Sequence, residues 1–366
     1  MDKMLSKSEK VGRLYADMSQ ELLLRMIQRI KQRATADLQS DPYLWHLDKL
    51  RDMHALNESN IKYVVEQTGV AREIIDDVLQ HEGLAVYEDS AKRVSKDTGK
   101  PIPSYNGVKD TLSAYASQAF LEVDNLVNQT LLSRNVDTNP VMRVYQDILT
   151  KAVSDVVNGL RSPEQAVSRA VMDWVNKGIP SGFIDKAGRK WNIESYVNSV
   201  MTSTTYRVYN EMRAESAKDL GVDTFHMSAH SAARPNCAPI QGHIVTTGRD
   251  FQSKDKDVGY VYSLPDYGYG RPDGTLGINC RHVLTPFVIG VNELPDEDIP
   301  SEKEAIANGK KQAQQRSFER GIRNAKKQLT AAKALGDDKL ISHYRELLNR
   351  RRGGLSQLIN DNDFLH

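Results

Sequence analysis

This sequence predicts an α+β protein with a mainly helical N-terminal region, a small β-containing domain and a helical, basic C-terminal tail. Three observations carry the prediction. Apolar residues recur at helical spacing through the first two hundred residues. After Gly221 they give way to short β-favouring runs separated by Gly, Pro and Asp. Helical periodicity returns after Ser301, now with an excess of Lys and Arg. The domain boundaries read from these changes are 1–221, 222–290 and 291–366.

Leu14, Met18, Leu22 and Met26, with Ile27 and Ile30 beside them, line one face of a first helix and leave Arg25, Arg29 and Lys31 outward. Asp41-Pro42 supplies an N-cap and a first helical residue for a second. Gly69 and Gly83 punctuate the next stretch of chain, and the segment from Val86 to Asn106, with its Gly and two prolines, reads as an exposed subdomain link near 86–106. Leu112, Tyr115, Ala119, Val123, Leu126 and Val127 form one further stripe. Val141, Val144, Tyr145, Ile148, Ala152 and Val156 form another after Asn139-Pro140. Ser162-Pro163-Glu164 opens a helix with a capping residue, a proline and an acid in order. Gly178-Ile-Pro-Ser-Gly-Phe183 interrupts the pattern, and Lys190-Trp191-Asn192-Ile193 leads into a helix with Val197, Met201, Thr204, Val208 and Met212 on its apolar face. That helix should end near Gly221.

Strands are expected in Val222–Met227, Ile244–Thr247, Val258–Leu264 and His282–Val288. The acidic, Pro-rich run from Asn292 to Pro300 is a linker. Ser301 then opens a helix to about Leu335, and Gly336-Asp337-Asp338 separates it from a last one.

Hydrophobic residues make up 39% and charged residues 27%, as in ordinary soluble proteins. The start of the chain is charged, and no run approaches the ~18 apolar residues of a membrane span, so neither export by a signal peptide nor insertion is expected. Two cysteines are too few for a disulfide framework. From Ser301 onward, 14 Lys and Arg face 8 Asp and Glu, a net +6 that leaves about −5 for the rest of the +1 chain. The tail is therefore the part suited to a polyanion. Arg316, Arg320, Arg323 and Lys327 fall at i, i+4, i+7 and i+11, one charged stripe that matches a phosphate backbone; a solvated face explains it more simply, since stacking aromatics are missing.

Both cysteines, Cys237 and Cys280, and four of the nine histidines, His226, His230, His243 and His282, fall within 57 positions. Cys237, His243, Cys280 and His282 offer a Cys2His2 set, the donors that structural zinc prefers. The C-x5-H and C-x-H spacings are not those of zinc fingers or ribbons. A C-x-H pair on an extended strand also points to opposite faces unless a turn intervenes. The spacing therefore favours side chains satisfied in a small core, with zinc as the alternative.

The order Ser-x-His-x-x-x-Arg-Pro, then Gln-Gly, then Asn-Cys-Arg-His followed by Pro-Phe-x-x-Gly is carried by Ser228, His230, Arg234, Pro235, Gln241, Gly242, Asn279, Cys280, Arg281, His282, Pro286, Phe287 and Gly290. This pattern resembles the phage minor capsid protein 2 family, relatives of the Mu F-like head morphogenesis proteins. The preceding helix, with Trp191, Tyr196, Thr204 and Thr205, is similar as well. Cys237 stands where relatives commonly have His, which keeps metal-binding capacity, and Ile240 stands where they have an aromatic. The resemblance implies a low-copy structural protein of the virion head, made in the host bacterial cytoplasm. Its implied partners are portal and capsid proteins, and its implied roles are head assembly and DNA packaging or delivery.

Two other classes compete with this reading. A hydrolase would draw on Ser228 or Ser231 with His230 and Asp250 or Asp266, or on Cys237 with His243, but no nucleophile elbow or flanking signature accompanies them. A toxin-type Glu-x-Glu is met nominally by Glu302 and Glu304, which read better as a capping box behind Ser301. A DNA-binding protein would act through the basic tail. The family resemblance favours a structural, non-catalytic protein over both.

Overall fold

The computed structural model describes residues 1–366 apart from 32–35, 103–106, 131–138, 178–192, 297 and 366. Its helices are α1 (Asp2–Lys31), α2 (Ala36–Ser40), α3 (Pro42–Arg51), α4 (Met53–Asp76), α5 (Gly83–Thr98), α6 (Val108–Thr130), α7 (Pro140–Val157), α8 (Pro163–Lys177), α9 (Ile193–Asp219), α10 (Glu302–Leu335) and α11 (Asp338–Asn360). Five strands, β1 (Thr224–Met227), β2 (Ile244–Thr246), β3 (Phe251–Gln252), β4 (Tyr260–Ser263) and β5 (Leu284–Pro286), lie between α9 and α10. The fold is α+β and mainly helical. The interruption at Gly178–Phe183, the Lys190–Asn192 approach with Trp191, and the far end of the expected link lie outside the described residues.

Local chemistry sets many helix starts. Asp41 Oδ1 accepts the Leu44 N–H at 3.0 Å ahead of Pro42. Asn139 Oδ1 accepts the Val141 N–H at 2.9 Å ahead of Pro140. Ser162 Oγ and Ser301 Oγ accept from Gln165 and Glu304 at 3.4 and 3.3 Å. At the end of α9, Gly221 is left-handed (φ 77°), and the Val222 and Gly221 N–H groups return to the Ala217 and Lys218 carbonyls at 2.9 Å each. This is the glycine-closed helix end that the sequence predicts, and it turns the chain into β1.

The stretch from Val86 onward departs from expectation. Residues 86–98 are helix, within α5, and the chain leaves the helix at left-handed Gly99 (φ 68°). Tyr87, Ser90, Ala91 and Val94 are buried at helical spacing, a stripe that its Ser and Ala conceal. Gly83 does not break the helix either. A π-helical turn, Asp77–Glu82, joins α4 to α5. A Cβ at Gly83 would stand 2.7 Å from Leu112 Cδ2 and 3.2 Å from Val208 Cγ1, so glycine lets α6 and α9 pack closely there.

The chain forms two compact units, one of residues 1–11, 72–121 and 198–314 and the other of 12–71, 122–197 and 315–366. α1, α4, α6, α9 and α10 each carry residues of both. The first unit holds the sheet, in the order β3-β4-β2-β1-β5. β1 runs antiparallel to β2 and β5, β2 is parallel to β4, and β3 is antiparallel to β4. Val94, Ala217, Leu220, Phe225, Met227 and Leu264 pack in its core together with Cys237 and Cys280. The second unit is helical. Met18, Leu22, Met26, Ile27 and Ile30 of α1, Tyr145 and Ile148 of α7, and Val171 of α8 are all buried there.

Candidate functional site

β1 is four residues long, yet its pairing continues beyond the strand. The Met227 N–H donates to the His243 carbonyl at 3.1 Å, and the Gly242 N–H to the Met227 carbonyl at 2.7 Å. The Ser228 N–H donates to the Val283 carbonyl, and the Val283 N–H to Ser228 Oγ, both at 3.0 Å. Three stretches far apart in sequence are thereby laid side by side: the exit from β1, the approach to β2 and the approach to β5. These stretches hold most of the motif.

Three soft donors converge where they meet. Cys237 Sγ lies 3.9 Å from Cys280 Sγ, which lies 3.3 Å from His282 Nδ1. All three side chains are buried, and the three donor atoms lie within 4.8 Å of one another. A turn brings Cys280 and His282 to the same side, as the C-x-H spacing requires. Asn279 is left-handed (φ 58°), the Cys280 N–H donates to the Gly277 carbonyl at 3.0 Å, and residues 280–283 are not strand. Asn favours this conformation more than most residues. Its amide N–H and Nδ2 donate to Ser203 Oγ and Ser199 Oγ of α9 at 3.1 and 3.3 Å.

The imidazole of His282 is oriented by Gln241. A backbone N–H can only donate, and that of His230 donates to Gln241 Oε1 at 3.1 Å, which fixes the amide oxygen on this side. His282 Nε2, 3.0 Å from the same oxygen, must therefore carry a hydrogen, and Nδ1 is the atom presented to the sulfurs. The hydrogen bond from the Cys237 thiol holds the Cys280 thiol well below its ordinary range against the effect of burial, with His282 adding to it. That bond and burial push Cys237 up. Burial, then the neighbouring His282, keeps the His230 imidazole below its usual value, so it is neutral near pH 7.

The fourth residue of the expected Cys2His2 set, His243, lies elsewhere: its side chain is exposed and its ring packs on Tyr262, with centroids 5.3 Å apart. The other motif residues hold loops. His230 Nε2 lies 3.3 Å from Ser228 Oγ and 3.2 Å from the Arg281 carbonyl, and its ring meets that of His282 edge-on at 4.7 Å. The Arg234 guanidinium donates to the Ile278 carbonyl. Gly242 (φ 73°) leaves room for Ile299, whose Cδ1 would be 2.4 Å from a Cβ there. Phe287 is buried, and its N–H donates to the Thr224 carbonyl at 2.9 Å. Asp250 accepts from the Tyr260 hydroxyl.

The tail stripe divides. Arg323 Nε and Lys327 Nζ pair with the two oxygens of Glu194 at 3.2 and 2.6 Å, whereas Arg316 and Arg320 are exposed. Asn210 and Arg213 of α9 carry weight that nothing in the sequence signals. Asn210 Nδ2 donates to the His282 carbonyl at 3.0 Å, and its Oδ1 accepts the Leu284 N–H at 2.9 Å, as a neighbouring strand would. Arg213 donates to the Leu284 carbonyl at 2.9 Å and to Thr285 Oγ1 at 3.1 Å. Thr275, fully buried with Oγ1 3.9 Å from Cys237 Sγ, is likewise not legible in the sequence.

Residues 2–360 match the family described as phage minor capsid protein 2, and the chain belongs to that family. It is 39% identical over 347 residues to a structural protein of Lactococcus phage LL-H, covering 94% of this chain and 92% of the relative. It is also 41% identical over 103 residues to a structural protein of Lactococcus phage mv4, covering 28% of this chain and 83% of that one. No solved structure matches it. Among the described residues, no helix is long and apolar enough to cross a membrane.

Proposed function

We propose that this chain is a low-copy component of the head of a tailed phage, made in the host cytoplasm, that sits at the portal vertex and assists head assembly. The observation that carries the proposal is the span of the likeness to a phage structural protein, 94% of one chain and 92% of the other. Helical regions, sheet and tail therefore belong to one shared architecture. The motif chemistry supports a structural role. Ser228 accepts a backbone N–H, His230 is engaged by the Arg281 carbonyl, and Gln241 orients His282, so the side chains that a hydrolase would use are bonded to the protein's own loops.

Quantitative mass spectrometry of purified virions and DNA-free proheads tests the proposal, combined with cross-linking of proheads. The expected result is a copy number comparable with that of the portal and far below that of the major capsid protein, with cross-links to the portal. Absence from both particles would overturn the head assignment, and cross-links confined to capsid faces would overturn the portal placement. Because Glu194 engages both Arg323 and Lys327, part of the charge of the tail stripe is offset within the fold, and a role in DNA packaging or delivery is not needed to explain it.

A further inference from the structure

We propose that Cys237, Cys280 and His282 bind one zinc ion through Cys237 Sγ, Cys280 Sγ and His282 Nδ1, and that the ion fastens the loops of the sheet-bearing segment. This goes beyond the head assignment and does not depend on it. Sequence spacing alone favours a satisfied core; the geometry points the other way. Around a tetrahedral zinc with Zn–S of about 2.3 Å and Zn–N of about 2.0 Å, two sulfurs stand about 3.8 Å apart and sulfur and nitrogen about 3.5 Å apart. The Cys237–Cys280 and Cys280–His282 separations, 3.9 Å and 3.3 Å, already match, and drawing together the Cys237–His282 edge, which lies within 4.8 Å, would seat the ion. A disulfide, by contrast, needs the sulfurs at about 2.05 Å.

The outer partners fit as well. A zinc-bound histidine commonly donates its remote N–H to an acceptor that fixes the ring, and Gln241 Oε1 does this for His282 Nε2 at 3.0 Å. That oxygen is itself held by the His230 N–H. Thr275 donates its hydroxyl hydrogen to the Asn236 carbonyl at 3.0 Å, which leaves its lone pairs on the side of Cys237. Either this oxygen or a water supplies the fourth ligand. His243, the remaining member of the Cys2His2 set read from the sequence, has no place in the site. The segment also has need of a fastening: its strands are two to four residues long, and residues 228–243 and 264–283 contain no strand.

Zinc content and cobalt spectroscopy of the full-length chain, expressed in zinc-replete medium and purified without chelators, test the site. One zinc per chain is expected. After exchange, cobalt(II) should show thiolate-to-metal charge transfer and the intense visible bands of a tetrahedral site. His243→Ala should keep the zinc, whereas Cys280→Ser and His282→Ala should lose it. Gln241→Leu should weaken binding about 10- to 100-fold in a competition with a chromogenic chelator. Should Cys280→Ser fail to fold, the wild-type metal content and cobalt spectrum decide the question. Zinc well below stoichiometric, a Cys237–Cys280 disulfide in the purified protein, full zinc in Cys280→Ser, or loss of zinc from a folded His243→Ala would each overturn the proposal.

Discussion

Between Ser228 and His282 the polar side chains that matter turn inward and bond to backbone or to one another, whereas between Arg316 and Arg352 most charged side chains lie on helix surfaces. Gln241 and His282 are buried, as are the two cysteines, and each has a partner at hydrogen-bonding or sulfur-contact distance. In the tail, Arg320, Lys326 and Arg350 are exposed, and the observed pairs of Arg323 and Lys327 with Glu194 form at the edge of solvent. The difference is one of dielectric. A polar group in the interior must be satisfied or it costs about 1–3 kcal/mol, while a surface ion pair contributes about 0.2–1 kcal/mol. Polar residues should therefore be far more sensitive in the first segment than in the second.

Single substitutions probe this contrast. The largest effect is expected for Gly274→Ala, whose Cβ would stand 1.9 Å from the Gly268 carbonyl oxygen, a backbone atom that cannot rotate away. The sheet-bearing segment should fail to fold, read as loss of near-ultraviolet dichroism with most helical signal retained. Phe225→Ala, which removes a buried ring from the core of that segment, should cost about 3–5 kcal/mol in denaturant unfolding. Asn210→Ala should cost roughly 1–3 kcal/mol, because the His282 carbonyl and Leu284 N–H lose their partners. The smallest effect, below about 1 kcal/mol, belongs to Glu194→Gln, which frees Arg323 and Lys327. The freed charges should also raise the salt concentration needed to elute the protein from heparin. A loss above about 2 kcal/mol for Glu194→Gln would place those tail cations with the interior polar groups and erase the contrast.

Much of the fold is legible because it rests on local periodicity. The stripe from Met18 to Ile30, the caps at Asp41, Asn139, Ser162 and Ser301, and the closure at Gly221 each stand where the sequence places them. The four expected β segments each contain a strand, β1, β2, β4 or β5; only β3, two residues long, has no counterpart among them. α5 reads as a link in the sequence because its buried face includes Ser90 and Ala91, which carry little hydrophobic signal. Gly83 reads as a break because a glycine that admits Leu112 looks, in sequence, like a glycine that ends a helix.

The candidate site is legible in its chemistry and not in its membership. Residue types alone bring Cys237, Cys280 and His282 forward and make the family recognisable, since a donor's identity is written in the chain. Which donors converge depends on pairings between positions as much as 55 residues apart: Met227 with His243, Ser228 with Val283, His230 with Gln241. Those pairings carry His243 onto Tyr262 and away from the cysteines, and they give His282 its orientation through an amide 41 residues earlier. The helices, their ends and the stock of donors can thus be read from the chain alone, because they follow from neighbours within a turn or two. Which donors meet, and which tail cations are already paired, is settled only in the folded molecule, because non-local contacts depend on the path of the whole chain.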